Sequence, residues 1–162
     1  MIESVEGWRW GLFALLAAAA IGDIRALRIP NALPFAILAL LAVALVANGA
    51  PIGDYRSAAL SGLIGLAVGY AFFAVGLMGG GDGKLFAASA AWFHAGALLG
   101  VGLLVSMAGV LVALAALAAR AVGRTSTTAH GGGVKAALKT KVPYGVAIAT
   151  GVIVAAQLPS LG

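Results

Sequence analysis

The stretch LFAASAAWFHAGALLGVGLLVSMAGVLVALAALAA, residues 85–119, contains no Asp, Glu, Lys or Arg over 35 positions. A membrane-spanning helix needs about 20 mostly apolar residues. The stretch is therefore long enough for one long span, or for two short spans that turn near Gly96 to Gly100. The number of crossings decides on which side of a membrane all the later residues lie, so the fold depends on it.

The whole chain shares this apolar character. Of its 162 residues, 62% are apolar and 9% are charged, whereas an average soluble domain has about 25% charged residues. Ten basic and five acidic residues are too few to cover the surface of a water-soluble globule of this length. We therefore expect lipid to surround most of the chain.

The composition also excludes several kinds of site. Without cysteine there can be no disulfide framework, no thiolate nucleophile and no cysteine-based zinc or iron–sulfur centre. The two histidines leave little for a metal site, so no metal and no cofactor are expected. The net charge of +5 is interpreted as a topology signal of a membrane protein, and no nucleic-acid partner is predicted. Glu3 and Glu6 are acidic where a secretory signal is basic, so the first apolar run is expected to be retained.

Charge placement favours two crossings by the stretch 85–119. With two crossings and the N-terminus outside, eight of the ten basic residues lie on the cytoplasmic side, as the positive-inside rule requires. With one crossing, only three do. The sequence therefore predicts an all-α membrane protein, a single bundle of six transmembrane helices with both termini on the outer side. The predicted spans cover residues 8–22, 33–47, 58–77, 85–98, 100–119 and 142–158.

This topology separates the acidic residues into two groups. Asp23 and Asp82 fall at the cytoplasmic ends of the first and third spans, and the other three acidic residues fall outside. An ionisable group within a span costs roughly 2.5–3.5 kcal/mol on insertion scales, so such a group is a functional candidate. The alternative is that both aspartates are solvated loop residues paired with neighbouring basic side chains.

Two adjacent carboxylates can carry out acid–base chemistry together. Because both cannot easily ionise at once, they share a proton and titrate as a unit. The ionised member can take a proton from water, and the protonated member can donate one to a carbonyl oxygen or a leaving amine. The glycines on both sides of Asp82 would let a substrate backbone approach closely, although they fit a flexible turn equally well.

Three motifs resemble a known family. Gly79-Gly80-Gly81-Asp82-Gly83-Lys84 matches the GxGDxK signature of type IV prepilin peptidases, which are GxGD-type aspartyl proteases of the bacterial inner membrane. Asp23 followed by Arg28-Ile29-Pro30-Asn31 resembles the first catalytic segment of that family, and Val142-Pro143-Tyr144-Gly145 resembles its C-terminal segment. The resemblance implies a catalytic pair, Asp23 and Asp82. It also implies active-site support from Gly79, Gly81, Gly83, Lys84, Arg28, Pro30, Asn31 and Tyr144.

The resemblance further implies a substrate and a location. The substrate would be a prepilin or pseudopilin whose basic leader is removed after a glycine, on the cytoplasmic side of the inner membrane. The chain lacks the cysteine-based zinc motif and the extra N-terminal region of longer members. N-methylation of the new terminus is therefore not expected. The short chain resembles the forms associated with tight-adherence (Flp) pili, and its other partner would be membrane lipid.

Two other functions remain open from the residues alone. Ala59-Leu60-Ser61-Gly62 is close to the nucleophile segment of serine intramembrane proteases, and His94 could serve as the base for Ser61. A small transporter or assembly subunit could instead use the intramembrane aspartates to carry ions.

Overall fold

The computed structural model describes residues 1–26, 29–123 and 144–159. Within these ranges the secondary structure is helical, with no strand. The α-helices are α1 Arg9–Ala26, α2 Ala32–Ala47, α3 Ile52–Ala74, α4 Gly80–Ala90, α5 Leu98–Gly123 and α6 Tyr144–Ala155, and two 3-10 helices cover Glu3–Trp8 and Ala95–Ala97. The prediction of an all-α chain is confirmed for the described residues.

The stretch 85–119 forms parts of two helices, α4 and α5, while the two membrane crossings inferred from the charges stay a prediction. Its turn begins at Ala91, directly after α4 ends, and is thus earlier than the predicted turn near Gly96 to Gly100. Trp92 and Phe93 explain the difference, because both side chains are fully buried in the core. The Ile2 N–H donates a hydrogen bond to the Trp92 carbonyl at 2.9 Å, which joins the turn to the N-terminal segment.

Small residues bring α3 and α4 into close antiparallel contact. Ser61, Gly65 and Gly69 form a buried face of α3, as their spacing predicts. A Cβ atom placed on Gly69 would lie 2.8 Å from the carbonyl oxygen of Gly83 in α4. A Cβ atom placed on Gly65 would lie 2.7 Å from the Cβ atom of Ala90, at the other end of α4. The two helices therefore lie so close together that only glycine fits at positions 65 and 69.

The same type of packing joins α5 to α6. A Cβ on Gly151 of α6 would lie 2.5 Å from the Cα atom of Val105 in α5. Earlier in α6, Ala147 faces Gly109, which lies later in α5, so the two helices are also antiparallel. α6 packs against α1 on another side, and buried apolar residues of α1, α2 and α6 form the centre of the bundle: Leu12, Leu16, Ile37, Ile148 and Val152.

The helices bring two sets of polar residues to opposite ends of the bundle. At the end that we call the Asp23 end, the last turn of α1 meets the first turns of α2, α4 and α6. At the other end, which we call the Asp54 end, the start of α3 meets the N-terminal segment and the turn after α4. There Ser4 donates a hydrogen bond to Asp54, and Ser57 Oγ lies 3.0 Å from His94 Nδ1.

Two helices among the described residues are long and apolar enough to cross a membrane, Ile52–Ala74 and Ala95–Ala118. In an 18-residue apolar segment of each helix, only 22% of the first and 17% of the second is buried within the chain. A core helix of a water-soluble protein would bury most of this surface, so outward-facing apolar side chains such as Leu63 and Leu111 suit a lipid environment. The six-span arrangement with both termini outside remains a prediction.

Candidate active site

Asp23 lies in the last part of α1, and its side chain is only 5% exposed. Its Oδ2 atom accepts a hydrogen bond of 2.7 Å from the backbone N–H of Gly145, a residue 122 positions later in the chain. α6 begins at Tyr144, so the Gly145 N–H is one of the first four in the helix and has no acceptor inside it. The carboxyl group of Asp23 supplies that acceptor at the positive end of the helix dipole.

Gly145 has little room for a side chain. A Cβ atom at this position would lie 2.9 Å from Asp23 Oδ2 and 3.0 Å from Cδ1 of Ile29. Glycine therefore allows α6 to bring its backbone up to the carboxyl group.

Asp82 lies in the first turn of α4 and is partly buried. Its Oδ2 atom accepts a hydrogen bond of 3.2 Å from the backbone N–H of Gly79, the residue that precedes the helix. The bond satisfies a free backbone donor at the helix start through a carboxyl group three residues later; glycine has no side chain for the reciprocal bond of a capping box. A Cβ on Gly79 would lie 2.7 Å from Asp82 Oδ2, so glycine also lets this bond form.

Ile29 connects the surroundings of the two aspartates. Its carbonyl oxygen would lie 3.3 Å from a Cβ on Gly81, next to Asp82 in the chain, while its Cδ1 atom faces Gly145 beside Asp23. The two carboxyl groups thus come from different helices to the same end of the bundle. They are close enough for the charge of Asp23 to act on the titration of Asp82.

Both aspartates lie outside the predicted spans: Asp23 directly follows the span 8–22, and Asp82 lies between the spans 58–77 and 85–98. The pKa of Asp82 is raised to about 6, mainly by burial and further by the negative charge of Asp23, while the hydrogen bond from the Gly79 N–H acts in the opposite direction. Burial also raises the pKa of Asp23, while the hydrogen bond from Gly145 acts in the opposite direction. These shifts are of the kind expected when two carboxyl groups share a proton.

Lys84 contacts Asn31. Its Nζ atom donates a hydrogen bond of 3.2 Å to Asn31 Oδ1, which links the start of α2 to the first turns of α4. Asn31 occupies the position before α2, but its side chain makes no hydrogen bond that caps the helix. Lys84 is two residues after Asp82, so the two side chains do not share a face of α4.

The other residues expected to support the site have different positions. Pro30 is exposed before α2, and Tyr144 is the partly exposed first residue of α6 at the Asp23 end. Gly83 packs against the backbone of Gly69 in α3, so its main structural role is close helix contact. Arg28 lies outside the described residues.

Comparison with known protein families identifies the chain. A model of the type IV leader peptidase family matches residues 10–114, which include both aspartates and Lys84. The chain belongs to the type IV leader peptidase family. No curated protein and no solved structure matches it significantly. Tyr144 and Gly145 follow the matched region, so the contact between α6 and Asp23 is known from the structure.

A leader peptidase could in principle use either aspartates or a serine and histidine, and the structure distinguishes these arrangements geometrically. Ser61 Oγ is buried and has no hydrogen-bond partner among the described residues. His94 instead contacts Ser57 at the Asp54 end. The structure therefore gives no support to a Ser61–His94 pair.

Several contacts that position the two aspartates of this leader peptidase cannot be predicted from the sequence. Gly145 stood in a recognised motif, but nothing in the sequence showed that its N–H would meet Asp23. Ile29 also lies within a motif that resembles the family, but its contacts with Gly81 and Gly145 are visible only in the structure. Gly69 was predicted as a packing residue from its spacing with Ser61 and Gly65, but its partner Gly83 could be found only from the structure.

Proposed function

We propose that this protein is an aspartyl endopeptidase with Asp23 and Asp82 as its catalytic pair. Its substrates would be type IV prepilins of the Flp kind, or pseudopilins. It would remove their basic leader after a glycine, on the cytoplasmic side of the bacterial inner membrane. The observation that carries the proposal is the placement of two carboxyl groups, from α1 and α4, at the same end of the bundle in a leader peptidase, with Ile29 packed against the surroundings of both.

The proposed reaction needs no group other than the two carboxyl groups and a water molecule. The ionised aspartate accepts a proton from water while the water oxygen bonds to the scissile carbonyl carbon, and the other aspartate donates its proton to the carbonyl oxygen. In the second step the amine leaving group receives a proton from the first aspartate. The C–N bond then breaks, and the second aspartate regains its proton from the new hydroxyl group.

The basic leader and the apolar helix of the proposed substrate suit the predicted topology. The predicted cytoplasmic side carries the Asp23 end, and the apolar outward faces of α3 and α5 would leave the rest of the chain in lipid. A substrate cut just before its apolar helix would have that helix in the same bilayer. Its cleavage site would then lie near the membrane surface at the Asp23 end.

The proposal can be tested by co-expressing the protein with a prepilin that carries a basic leader ending in glycine. Removal of the leader is followed by the change in prepilin mobility on a gel. Asp23→Asn and Asp82→Asn should each abolish cleavage, because an amide cannot exchange a proton in this way. Asp54→Asn is the matched control, since it makes the same chemical change at the opposite end of the bundle.

The controls also decide between the alternatives. All three variants should accumulate in the membrane to the same level, which is checked by immunoblotting of membrane fractions. Cleavage by both Asp23→Asn and Asp82→Asn would overturn the proposal. Loss of cleavage in Ser61→Ala, with both of those variants active, would instead favour the serine mechanism.

A further inference from the structure

The two aspartates differ in the backbone groups that hold them. Asp23 accepts a bond of 2.7 Å from a neighbouring helix, and this bond is buried. Asp82 accepts a longer bond of 3.2 Å from Gly79, the residue before its own helix, and this bond is exposed. A charge-assisted hydrogen bond is shorter and stronger than a neutral one, and it is stronger still where water is excluded. The backbone contact of Asp23 therefore favours a charged carboxylate more than that of Asp82 does.

Both bonds lie at helix amino termini, and Asp23 also lies in the last turn of α1, whose dipole opposes a negative charge, so the helix dipoles do not by themselves favour Asp23 as the charged member of the pair. The difference between the two aspartates comes from the length and burial of the bond to Gly145. Burial is the main cause of the raised pKa of Asp82, about 6, and a charged Asp23 adds to it because its negative charge disfavours a second charge on Asp82.

We propose that the amino terminus of α6 assigns the roles within the aspartate pair: the Gly145 N–H holds Asp23 as the ionised base, which leaves Asp82 as the proton donor. This inference rests on the proposed function and adds which aspartate acts as the base and which as the acid. Asp23 takes the proton of the attacking water, and Asp82 protonates the scissile carbonyl oxygen. Asp23 then gives its proton to the leaving amine, while Asp82 recovers one from the hydroxyl group of the intermediate. Gly145 is a positioning residue in this scheme, since it acts through Asp23.

The other titratable or charged groups at this end, among the described residues, are few. α1 carries Arg25, which is exposed in the last turn of the helix. α4 carries Lys84, whose ammonium group is bound to Asn31. α6 begins with Tyr144. None of these groups has a hydrogen bond to Asp23, so the Gly145 N–H is the polar contact to change.

The first test compares Gly145→Ala with Gly22→Ala. A Cβ at position 145 would meet both Asp23 and Ile29, whereas a Cβ at position 22, next to Asp23 in the chain, has nothing within 4 Å. The purified proteins are assayed in detergent with a peptide that carries a basic leader, a glycine and an apolar segment, over a range of pH. Gly145→Ala should lower kcat by about 10- to 100-fold, because the base is displaced. It should also move the acidic limb of the kcat profile to higher pH.

Gly22→Ala should retain the wild-type profile. A Gly145→Ala profile with an unchanged acidic limb would overturn the inference, even if the activity were reduced. A purely structural role of Gly145 would lower the active fraction without moving the limb, so the pH dependence separates the two roles.

A second measurement needs neither activity nor the Gly145 variant. Infrared spectroscopy of the purified protein detects the carbonyl stretching band of a protonated carboxyl group. Near pH 6, the pKa of Asp82, this band should be present in the wild type and absent from Asp82→Asn. In Asp23→Asn it should be weaker but still present, because burial, the main cause of the raised pKa, remains while the charge of Asp23 is lost. A band that disappears in Asp23→Asn and persists in Asp82→Asn would overturn the assignment. If the band follows Asp82 but no prepilin is cleaved, the proposed function fails while the proton assignment stands.

Discussion

The raised pKa of Asp82 makes the stability of the folded protein depend on pH. This pKa is raised in the folded protein to about 6, so protonation favours the folded state. This stabilisation is fully present below the ordinary aspartate pKa of about 4 and is lost as the pH rises through about 6. Above that pH the folded protein holds a carboxylate that is partly buried beside the charge of Asp23.

We therefore expect Asp82→Asn to stabilise the protein at pH 8 but not at pH 4. Because Asp82 is only partly buried, solvent screening reduces the effect to about 1 kcal/mol. Thermal unfolding of the purified protein in detergent, monitored by circular dichroism at both pH values, measures the difference. Asp54→Asn serves as the control. An Asp82→Asn variant that is equally stabilised at both values would contradict the role of the buried charge.

The contact between Lys84 and Asn31 provides a second prediction for individual residues. Both side chains are exposed, so their hydrogen bond should contribute less than about 1 kcal/mol to stability. If the bond positions the start of α2 relative to Asp82, Asn31→Ala and Lys84→Met should each lower kcat/KM several-fold. The double variant should be no worse than the more impaired single variant, because both changes remove the same bond. Additive losses in the peptide assay would show that the residues act separately.

The close contact between helices α3 and α4 depends on a glycine in each of them. A Cβ on Gly69 would lie 2.8 Å from a backbone oxygen of Gly83, and backbone atoms cannot move aside as a flexible side chain can. Gly53 lies in the same helix, but a Cβ there would meet nothing within 4 Å. The two positions therefore separate the packing role of glycine from its effect on helix propensity.

We expect Gly69→Ala to destabilise the protein by about 1–3 kcal/mol through overpacking. Gly53→Ala should stabilise it slightly, by less than about 0.5–1 kcal/mol, because alanine loses less backbone entropy in a helix but residue 53 lies in the first turn, where this matters less than in the interior. Thermal unfolding in detergent under identical conditions measures both changes. The displacement of α4 in Gly69→Ala should also reduce cleavage, since Asp82 lies in the first turn of that helix. Equal stability of the two variants would contradict the close contact.

At the scale of the whole molecule, the sequence predicted the helical class and the division of the stretch 85–119 into two helices. This was possible because the scarcity of charges and the long apolar runs can be seen in the sequence without knowing which residues are in contact. The turn at Ala91 was placed too late, since the burial of Trp92 and Phe93 is a tertiary effect. The hydrogen bond from Gly145 to Asp23 could not be predicted for the same reason, because it joins residues 122 positions apart.

The predicted topology of the whole molecule can be measured because the chain has no cysteine, so single cysteines can be introduced without background. Glu3 and Asn48 are exposed and belong to the predicted outer side, whereas Ala26 and Leu77 are exposed and belong to the predicted cytoplasmic side. In spheroplasts, a membrane-impermeant maleimide should label Glu3→Cys and Asn48→Cys at once. Ala26→Cys and Leu77→Cys should be labelled only after permeabilisation. The opposite pattern would place the Asp23 end outside, where a substrate with a cytoplasmic leader could not reach the aspartates.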